Sequence, residues 1–413
     1  MNIVRLNKIK LLIIAPTFYP VHGGAGLRFY RYLPYLYENS VDVTVICGTP
    51  KLKKFTEDDH QAEWLSAKDG ELVSELEISK ARILKYKLPG KGAKARTKVL
   101  LNKAIELCGA PNSKPDVVHI ISPMPYGVIG ELRQIKALGI KLIYSHTIAR
   151  KVSNNLFTGR LKKWKTKKII KLYETVIVQS ESMKESILET NPDANLCVIM
   201  NGVDTDRFSP VSDESEKQSL RKELNLPVKA KFITLIGAVH PRKGTDILIK
   251  AWASLVIQKP DLHLLIIGPR YDQTRKELKE FSATMDEITR GSGKHKNVHF
   301  LGQIEGIEKY LKVSDIFVFP SAREGMPNAV LEAMSAGLPV VLTPFIGLSK
   351  ELGTNNKEYL LAERSPDSVA DKINLVLEDN DLSQTLANNA RDWVVEKMDV
   401  ATSVKLHAQL YSE

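Results

Sequence analysis

Two carboxylates with seven residues between them, Glu324 and Glu332, are the best-placed candidates for chemistry in this 413-residue chain. The apolar run from Ile316 to Phe319 predicts a buried strand, and Glu324 lies in the polar loop that follows it. Glu332 lies one turn into a short helix that we expect to be capped by Asn328. A second buried-type run, Pro339 to Leu342, predicts the next strand. A strand–loop–helix–strand unit of this kind belongs to an α/β sheet, which binds ligands beyond the carboxyl ends of its strands.

The start of that helix is suited to an anion. The backbone N–H groups between Met326 and Ala329 lie at its N-terminus, where the helix macrodipole favours negative charge, and Gly337 is expected to end it. A diphosphate at this point, with carboxylates accepting hydrogen bonds from sugar or ribose hydroxyls on either side, makes a nucleotide-sugar site. The alternative is that Glu332 is an ordinary helix glutamate and Glu324 a surface loop residue.

A basic turn, Gly237 to Gly244, lies about eighty residues before the two glutamates. It follows the predicted strand Lys231 to Ile236 and opens a helix that carries a clean apolar stripe. An ammonium at a strand-to-helix turn, here that of Lys243, neutralises phosphate charge as a nucleotide departs. The alternative is a solvated basic turn.

Two features of the first half are weaker candidates. The glycine-rich turn with Gly23 and Gly24 follows the first predicted strand, and glycine lets backbone approach a ligand closely. His146 stands just beyond a predicted buried strand, although a lone histidine is more often structural. His119 lies inside a strand and is expected to be a satisfied core or strand-end residue.

The order of elements predicts an α/β protein with two doubly wound halves. Short runs rich in Val and Ile alternate with helical patterns, and their continuous apolarity is typical of parallel strands buried on both faces. The pattern breaks at Asn201 to Pro210, stays polar to Leu226 and restarts at Lys231. The strands predicted are Lys10–Ala15, Asp42–Cys47, Asp116–Ile121, Lys141–Ser145, Thr175–Gln179, Cys197–Met200, Lys231–Ile236, Leu262–Ile267, Val298–Phe300, Ile316–Phe319 and Pro339–Leu342.

Charge is unevenly distributed along the chain. The net charge is +11, yet residues 1–210 hold 33 Lys and Arg against 20 Asp and Glu, so the first half carries the whole excess. Two segments, Lys80 to Lys103 and Arg150 to Lys171, each hold nine basic residues. Such clusters suit an anionic membrane surface or an anionic acceptor, the alternative being a solvated face. No recognised nucleic-acid module accompanies them.

Composition narrows the remaining classes. No stretch approaches the roughly 20 apolar residues of a membrane span, and the opening run reads as a strand and not a signal peptide. The three cysteines are far apart and lack metal-ligand spacing, so a cytoplasmic location is expected.

These motifs, in this order and at these separations, resemble the retaining glycosyltransferases of family 4, in particular bacterial enzymes of polysaccharide and glycolipid synthesis. The resemblance also includes Asp116 to Ile120, Val176 to Glu181 and the linker start Asn201 to Asp204. It implies the GT-B fold, in which two Rossmann-like doubly wound domains face each other across a cleft. Residues 1–205 would hold the acceptor and 231–385 the nucleotide-sugar donor. A linker region would span 206–230, and a C-terminal helix, 386–413, would return towards the N-terminal domain.

The family resemblance further implies transfer of a sugar to a hydroxyl of a glycan, glycolipid or small molecule, with retention of anomeric configuration. A UDP-sugar is the expected donor, with a GDP-sugar as alternative, and neither a metal nor another cofactor is needed. His146, Lys243 and Glu324 would be catalytic. The donor would bind at Gly23, Gly24, Arg242, Lys243, Met326, Pro327, Asn328, Ala329 and Glu332.

One residue departs from the family pattern. Family members commonly place an arginine directly after the first glycine of the basic turn, and this chain has Ala238 there; Arg242 or His240 would have to supply the second phosphate contact. Two other functions therefore stay open. One is a different GT-B enzyme, a phosphorylase or a nucleotide-sugar epimerase, and the other is a non-catalytic scaffold of a polysaccharide-assembly complex.

Overall fold

The structure, a computed structural model, describes residues 8–18, 24–49, 66–90, 92–121, 127–147, 167–270 and 276–413. Within it the chain forms two compact units. Among the described residues, the first consists of those up to 147, 167–201 and 400–413, and the second of those from 202 to 399. Each unit holds one largely parallel sheet with helices packed against it, so the predicted α/β class with two doubly wound halves is confirmed.

The first unit is built on an eight-stranded sheet of order β3-β4-β2-β1-β5-β6-β7-β8. All its neighbouring strands are parallel except β3 and β4. Its strands are β1 (Ile9–Ala15), β2 (Val41–Thr49), β3 (Leu72–Ile78), β4 (Ala81–Lys87), β5 (Val117–Ile120), β6 (Lys141–Ser145), β7 (Thr175–Val178) and β8 (Leu196–Val198). Its helices are α1 (Gly24–Glu38), α2 (Ala93–Gly109), α3 (Ile129–Ala137), α4 (Glu181–Leu188) and α12 (Val400–Ser412).

The hairpin of β3 and β4 was absent from the sequence prediction. Leu72 to Ile78 alternates apolar and polar residues, as a half-buried edge strand does, and differs from the continuous runs that marked the other strands. Its turn is made by Ser79 and Lys80, both with positive φ (50° and 64°), which is the conformation of a two-residue hairpin turn. Neither residue is the glycine or asparagine that normally signals such a turn.

Buried polar contacts join α12 to β5 and to α1 inside the first unit, and the Tyr32 hydroxyl of α1 lies 3.2 Å from Ser403 Oγ of α12. His119 on β5 lies 2.8 Å from the Tyr411 hydroxyl through Nδ1 and 2.7 Å from Ser145 Oγ through Nε2. The His119 side chain is fully buried, so the prediction of a satisfied core histidine is confirmed. Arg28 is also buried and donates to the Asn201 side chain. Hydrogen bonds at this depth require α12 to be in place.

The second unit is built on a six-stranded sheet of order β11-β10-β9-β12-β13-β14, in which all neighbours are parallel. Its strands are β9 (Lys231–Ile236), β10 (Leu262–Ile267), β11 (Val298–Gly302), β12 (Ile316–Phe319), β13 (Val340–Leu342) and β14 (Leu360–Leu361). Its helices are α5 (Glu214–Glu223), α6 (Thr245–Leu255), α7 (Lys276–Gly291), α8 (Ile307–Val313), α9 (Asn328–Ser335), α10 (Pro366–Glu378) and α11 (Asn380–Lys397).

Residues 206–230, expected as a linker region, contain α5, which is anchored in the second unit. Its N-cap is Asp213, whose side chain accepts from the Glu216 N–H. Lys217 and Arg221 both bind Asp315, at 2.8 and 2.9 Å, just before β12. Leu220 also packs against the cluster around Phe232 and Val313. The rest of the helix is highly polar and forms ion pairs with the unit, and this explains why its sequence resembles a linker.

The C-terminal segment, expected to be helical throughout, is two helices in different units. The first, α11, packs on α9 in the second unit, and α12 packs on α1 in the first. Between them lie Met398 and Asp399, where the Val203 N–H donates to the Met398 carbonyl at 2.8 Å. The predicted returning helix began at 386, whereas the residues that belong to the first unit are 400–413.

Candidate functional site

The basic turn is a short 3₁₀ helix, Pro241–Lys243, between β9 and α6. His240 caps it, because its Nδ1 accepts the Arg242 N–H at 3.0 Å. The next residue, Gly244, has φ of +72°, and a Cβ there would lie 2.1 Å from the Pro320 carbonyl oxygen. Only glycine fits this close approach. The turn is therefore held directly against the carboxyl end of β12.

Three donors meet on one carboxylate oxygen at this edge of the sheet. Glu324 Oε1 lies 2.8 Å from Lys243 Nζ and 2.6 Å from Arg242 Nη1. The Ser321 hydroxyl donates to the same oxygen at 2.7 Å. The Glu324 side chain is 13% exposed and that of Lys243 16%, so the contact is partly shielded from water. The structure thus brings three predicted site residues together.

The environment of Lys243 lowers the pKa of its ammonium group. Burial is the main cause, the proximity of Arg242 adds to it, and the attraction and hydrogen bond of Glu324 oppose it. The ammonium also lies 5.0 Å from the centroid of the Phe319 ring, the last residue of β12. A cation held in this way is positioned before a ligand arrives, which favours electrostatic stabilisation of a developing negative charge.

Backbone contacts keep the loop after β12 in register with the turn. The Ala322 N–H donates to the Arg242 carbonyl at 2.8 Å, and the Glu324 N–H to the Ile346 carbonyl at 3.0 Å. Arg364 adds a link from the segment after β14. Its guanidinium donates to the carbonyls of Pro320 and Pro241, at 3.2 and 3.1 Å.

Helix α9 differs in one detail from the prediction. Its N-cap is Pro327, and Asn328 is its first helical residue instead of its cap. Proline has no N–H, so the donors at the helix start are those of Asn328 and Ala329, ahead of the first bond from Val330 to the Pro327 carbonyl. Gly337 follows the helix with φ of +71°, as expected for a C-terminal glycine.

The second carboxylate, Glu332, lies within α9 and is 3% exposed. Acidic side chains are rarely this buried unless they have partners. The structure places Met326 and Pro327 in buried positions and Asn328 and Ala329 at intermediate exposure just ahead of it. Five of the expected donor-binding residues, Met326, Pro327, Asn328, Ala329 and Glu332, therefore lie at the start of α9 or in its first two turns.

The remaining candidates belong to the first unit. His146 follows β6 directly, and its backbone N–H donates to the Ile177 carbonyl at 2.8 Å. Gly24 is the first residue of α1, whereas Gly23 lies outside the described residues. A glycine that the sequence did not single out, Gly26, lets α1 approach the segment after β1, since a Cβ there would lie 2.5 Å from the Thr17 carbonyl oxygen. The roles of His146, Gly23 and Gly24 stay predictions.

Two residues of the site were missed from the sequence. Ser321 and Arg364 act only through three-dimensional contacts with Glu324, Pro241 and Pro320. A small hydroxyl residue two positions after a buried strand is the one available signal for Ser321. No local pattern marks Arg364. In the described part of the chain, no group of three or more His, Cys, Asp or Glu residues is arranged to hold a metal ion.

Fold and site geometry define a class that comparison with known proteins identifies as glycosyltransferases of GT-B fold. The family model described as Glycosyltransferase Family 4 matches residues 22–207, and that described as Glycosyl transferases group 1 matches residues 216–393. The crystal structure of Anabaena HepE in complex with UDP and glucose covers 98% of this chain and 100% of its own, with TM-score 0.71 and 18% identity. At that identity the likeness shows the fold.

Curated relatives agree with this class. An uncharacterized glycosyltransferase of Methanocaldococcus jannaschii is 27% identical over 69% of this chain and 72% of its own length. A D-inositol 3-phosphate glycosyltransferase of Corynebacterium jeikeium is 27% identical over 65% of each. The chain belongs to the family-4 type of glycosyltransferase.

Proposed function

We propose that this glycosyltransferase moves a sugar from a nucleotide-sugar donor, a UDP-sugar first and a GDP-sugar second, to an acceptor hydroxyl with retention of configuration. The carrying observation is the convergence of Lys243 and Arg242 on Glu324, beside the N-terminus of α9. Support for the base comes from similar folds whose structures contain UDP or UDP-glucose.

The chemistry follows from where charge develops. When the bond between the sugar and the diphosphate breaks, its electron pair leaves with the phosphate oxygen, and the cations of Lys243 and Arg242 stabilise that charge. The N–H groups of Asn328 and Ala329 add the positive end of a helix. In this proposal Glu324 accepts hydrogen bonds from sugar hydroxyls, and Glu332 from the ribose.

The first experiment identifies the donor and then tests the role of the positive charge of Lys243. Purified protein is screened against a panel of UDP-, GDP-, ADP- and TDP-sugars by thermal shift and donor hydrolysis. With the donor found, Lys243→Ala should leave the thermal transition unchanged and lower kcat/KM. The loss should correspond to roughly 2–4 kcal/mol of transition-state stabilisation, the scale of one pre-organised contact. Unchanged turnover in that variant would remove Lys243 from the mechanism.

Retention and metal independence are tested on the product. The anomeric configuration measured by NMR should match that of the donor, and an inverted product contradicts the proposal. Turnover should persist in excess chelator, since the proposed charge stabilisation uses only Lys243, Arg242 and the start of α9. Release of sugar 1-phosphate with inorganic phosphate as acceptor indicates a phosphorylase. Sugar interconversion without an acceptor indicates an epimerase, and binding without any turnover indicates the scaffold.

We further propose that the acceptor is a glycan or lipid-linked molecule, reached by peripheral attachment to the cytoplasmic face of an anionic membrane. The basic excess of residues 1–210 supports this location. No helix in the described ranges is both long and apolar enough to cross a membrane.

A further inference from the structure

The charges do not balance where the basic turn meets Glu324. Arg242 and Lys243 carry two positive charges, and among the described residues Glu324 supplies the one negative charge that forms salt bridges with them. Both cations bind the same oxygen, Oε1, and the Ser321 hydroxyl donates to it as well. Within the described residues, the salt bridges of both cations lead to this one carboxylate.

Glu324 and a diphosphate require the same partners. A carboxylate and a phosphate are both oxygen anions that charged nitrogens recognise through short hydrogen bonds. A diphosphate that reached Lys243 would either replace Glu324 or lie beside its charge, and like charges at close range repel. The cost is larger here than at the surface because the Glu324 side chain is only 13% exposed.

From this contact we infer that Glu324 is a specificity residue that opposes binding of the bare nucleoside diphosphate and favours the complete donor. The inference rests on the proposed donor site. When the sugar is present, its hydroxyls donate to Glu324 and replace the hydrogen bonds of Lys243 and Arg242. Both cations then turn to the diphosphate. When the sugar has left, Glu324 regains its cations and weakens the hold on the product.

The competition between Glu324 and the diphosphate lets the site discriminate between the donor and the product. Donor and product share the nucleotide and both phosphates, so contacts to those groups alone would let the product inhibit its own enzyme. A competing anion that only the sugar satisfies separates the two by a difference in affinity. The same competition requires the sugar and the nucleoside diphosphate of the donor to bind cooperatively.

The test compares Glu324→Gln with the wild-type protein. This change keeps size and hydrogen-bonding ability but removes the charge. Binding of the nucleoside diphosphate and of the intact donor is measured by calorimetry. We expect the variant to bind the nucleoside diphosphate about tenfold tighter, equal to about 1.4 kcal/mol, and to lose preference for the donor. The matched control is Glu378→Gln, which removes an exposed carboxylate paired with Lys259 and should change neither constant.

A second set of variants distinguishes a charge effect from a fault in folding. Arg242→Gln should weaken nucleoside-diphosphate binding, because it leaves one cation fully neutralised by Glu324. The double change Arg242→Gln, Glu324→Gln should restore binding towards the wild-type value, which loss of structure could not do. Equal or weaker nucleoside-diphosphate binding by Glu324→Gln would overturn the inference while leaving the donor site intact. If the wild-type protein binds no nucleotide of the panel, the proposed function falls and this inference with it.

Discussion

At the scale of single residues, Lys243 combines a proposed role at the diphosphate with a partly buried charge. Burial lowers the pKa of its ammonium group, so the charge is lost at a lower pH than in an exposed lysine. Diphosphate binding needs the charged form. We therefore expect kcat/KM to fall on the basic side of the pH profile at a lower pH than an ordinary lysine would give.

Replacing Lys243 by arginine shows whether the basic limb of the pH profile comes from titration of Lys243 or of another group. Lys243→Arg keeps a positive charge at every accessible pH, so the basic limb of kcat/KM should move upward or disappear, although the altered geometry lowers the plateau. The measurement is kcat/KM from pH 6 to 10.5 with the donor varied. A basic limb identical in both proteins would assign the titration to another group.

The buried Glu332 is expected to act on binding more than on chemistry. A contact to ribose is present in the ground state and the transition state alike. Glu332→Gln should therefore raise KM for the donor several-fold with a smaller change in kcat. Because the side chain is 3% exposed, a thermal unfolding curve of the variant is needed beside the kinetics. A loss confined to kcat would contradict the ribose assignment.

At the scale of elements, Asp315 is the residue on which the attachment of α5 depends. Its carboxylate binds Lys217, Arg221 and the Phe232 N–H. Burial alone would raise the pKa of Asp315, but its attraction to Lys217 and Lys231 and these hydrogen bonds lower it on balance. The folded state therefore binds this proton less readily than the unfolded one, so the stabilisation is present at neutral pH and is lost as pH falls through the lowered pKa.

Asp315→Asn should destabilise the second unit, because Arg221 and Lys217 then remain near the strand without their counter-charge. Breaking one partner of a buried ion pair typically costs about 3–5 kcal/mol. Urea unfolding at pH 7 measures it. The control is Glu308→Gln, which breaks the more exposed pair with Arg207 and should cost less than about 1 kcal/mol. Equal stability of the two variants would contradict the structural role of Asp315.

The sequence predicted those elements whose burial follows from a local run of apolar residues. Continuous apolar runs such as Ile316–Phe319 and Lys141–Ser145 are strands with the predicted bounds. The sequence did not predict the hairpin of β3 and β4, because it is half-buried. It did not predict helix α5 either, because that helix is polar and is held largely by ion pairs. The same distinction applies to the site. The spacing of Glu324 and Glu332 is visible in the sequence, whereas the meeting of Arg242 with Glu324 depends on how two distant turns fold together.

At the scale of the whole molecule, the two basic segments differ in what the structure shows of their ion pairs. In the segment from Lys80 to Lys103, several charges have acidic partners from outside the segment. These pairs are Lys80 with Glu77, Arg82 with Glu75, Lys98 with Glu131 and Lys103 with Glu106. Attachment to an anionic membrane is therefore expected to depend on the other segment, residues 150–171, most of which lies outside the described residues.

The corresponding prediction concerns lysines around Trp164. Replacing Lys162, Lys163 and Lys165 by Gln should reduce co-sedimentation with vesicles containing anionic lipid. The matched triple change of Lys80, Lys98 and Lys103 to Gln alters the net charge equally and should reduce it less. High salt should release the wild-type protein, since screening shortens to about 3 Å at 1 M. Equal pelleting with neutral vesicles, or none with anionic ones at low salt, would contradict attachment by charge.

The division of the chain into units also determines the order in which the protein can be completed during synthesis. Residues 202–399 leave the ribosome as one nearly continuous unit and can fold as they emerge. The first unit is made earlier but lacks Val404, Leu410 and Tyr411 of its core until α12 has been translated. The N-terminal half must therefore wait, with its surface around Phe29 and His119 uncovered, until about two hundred further residues have been added. A chaperone that binds exposed apolar surface would meet this protein at that stage.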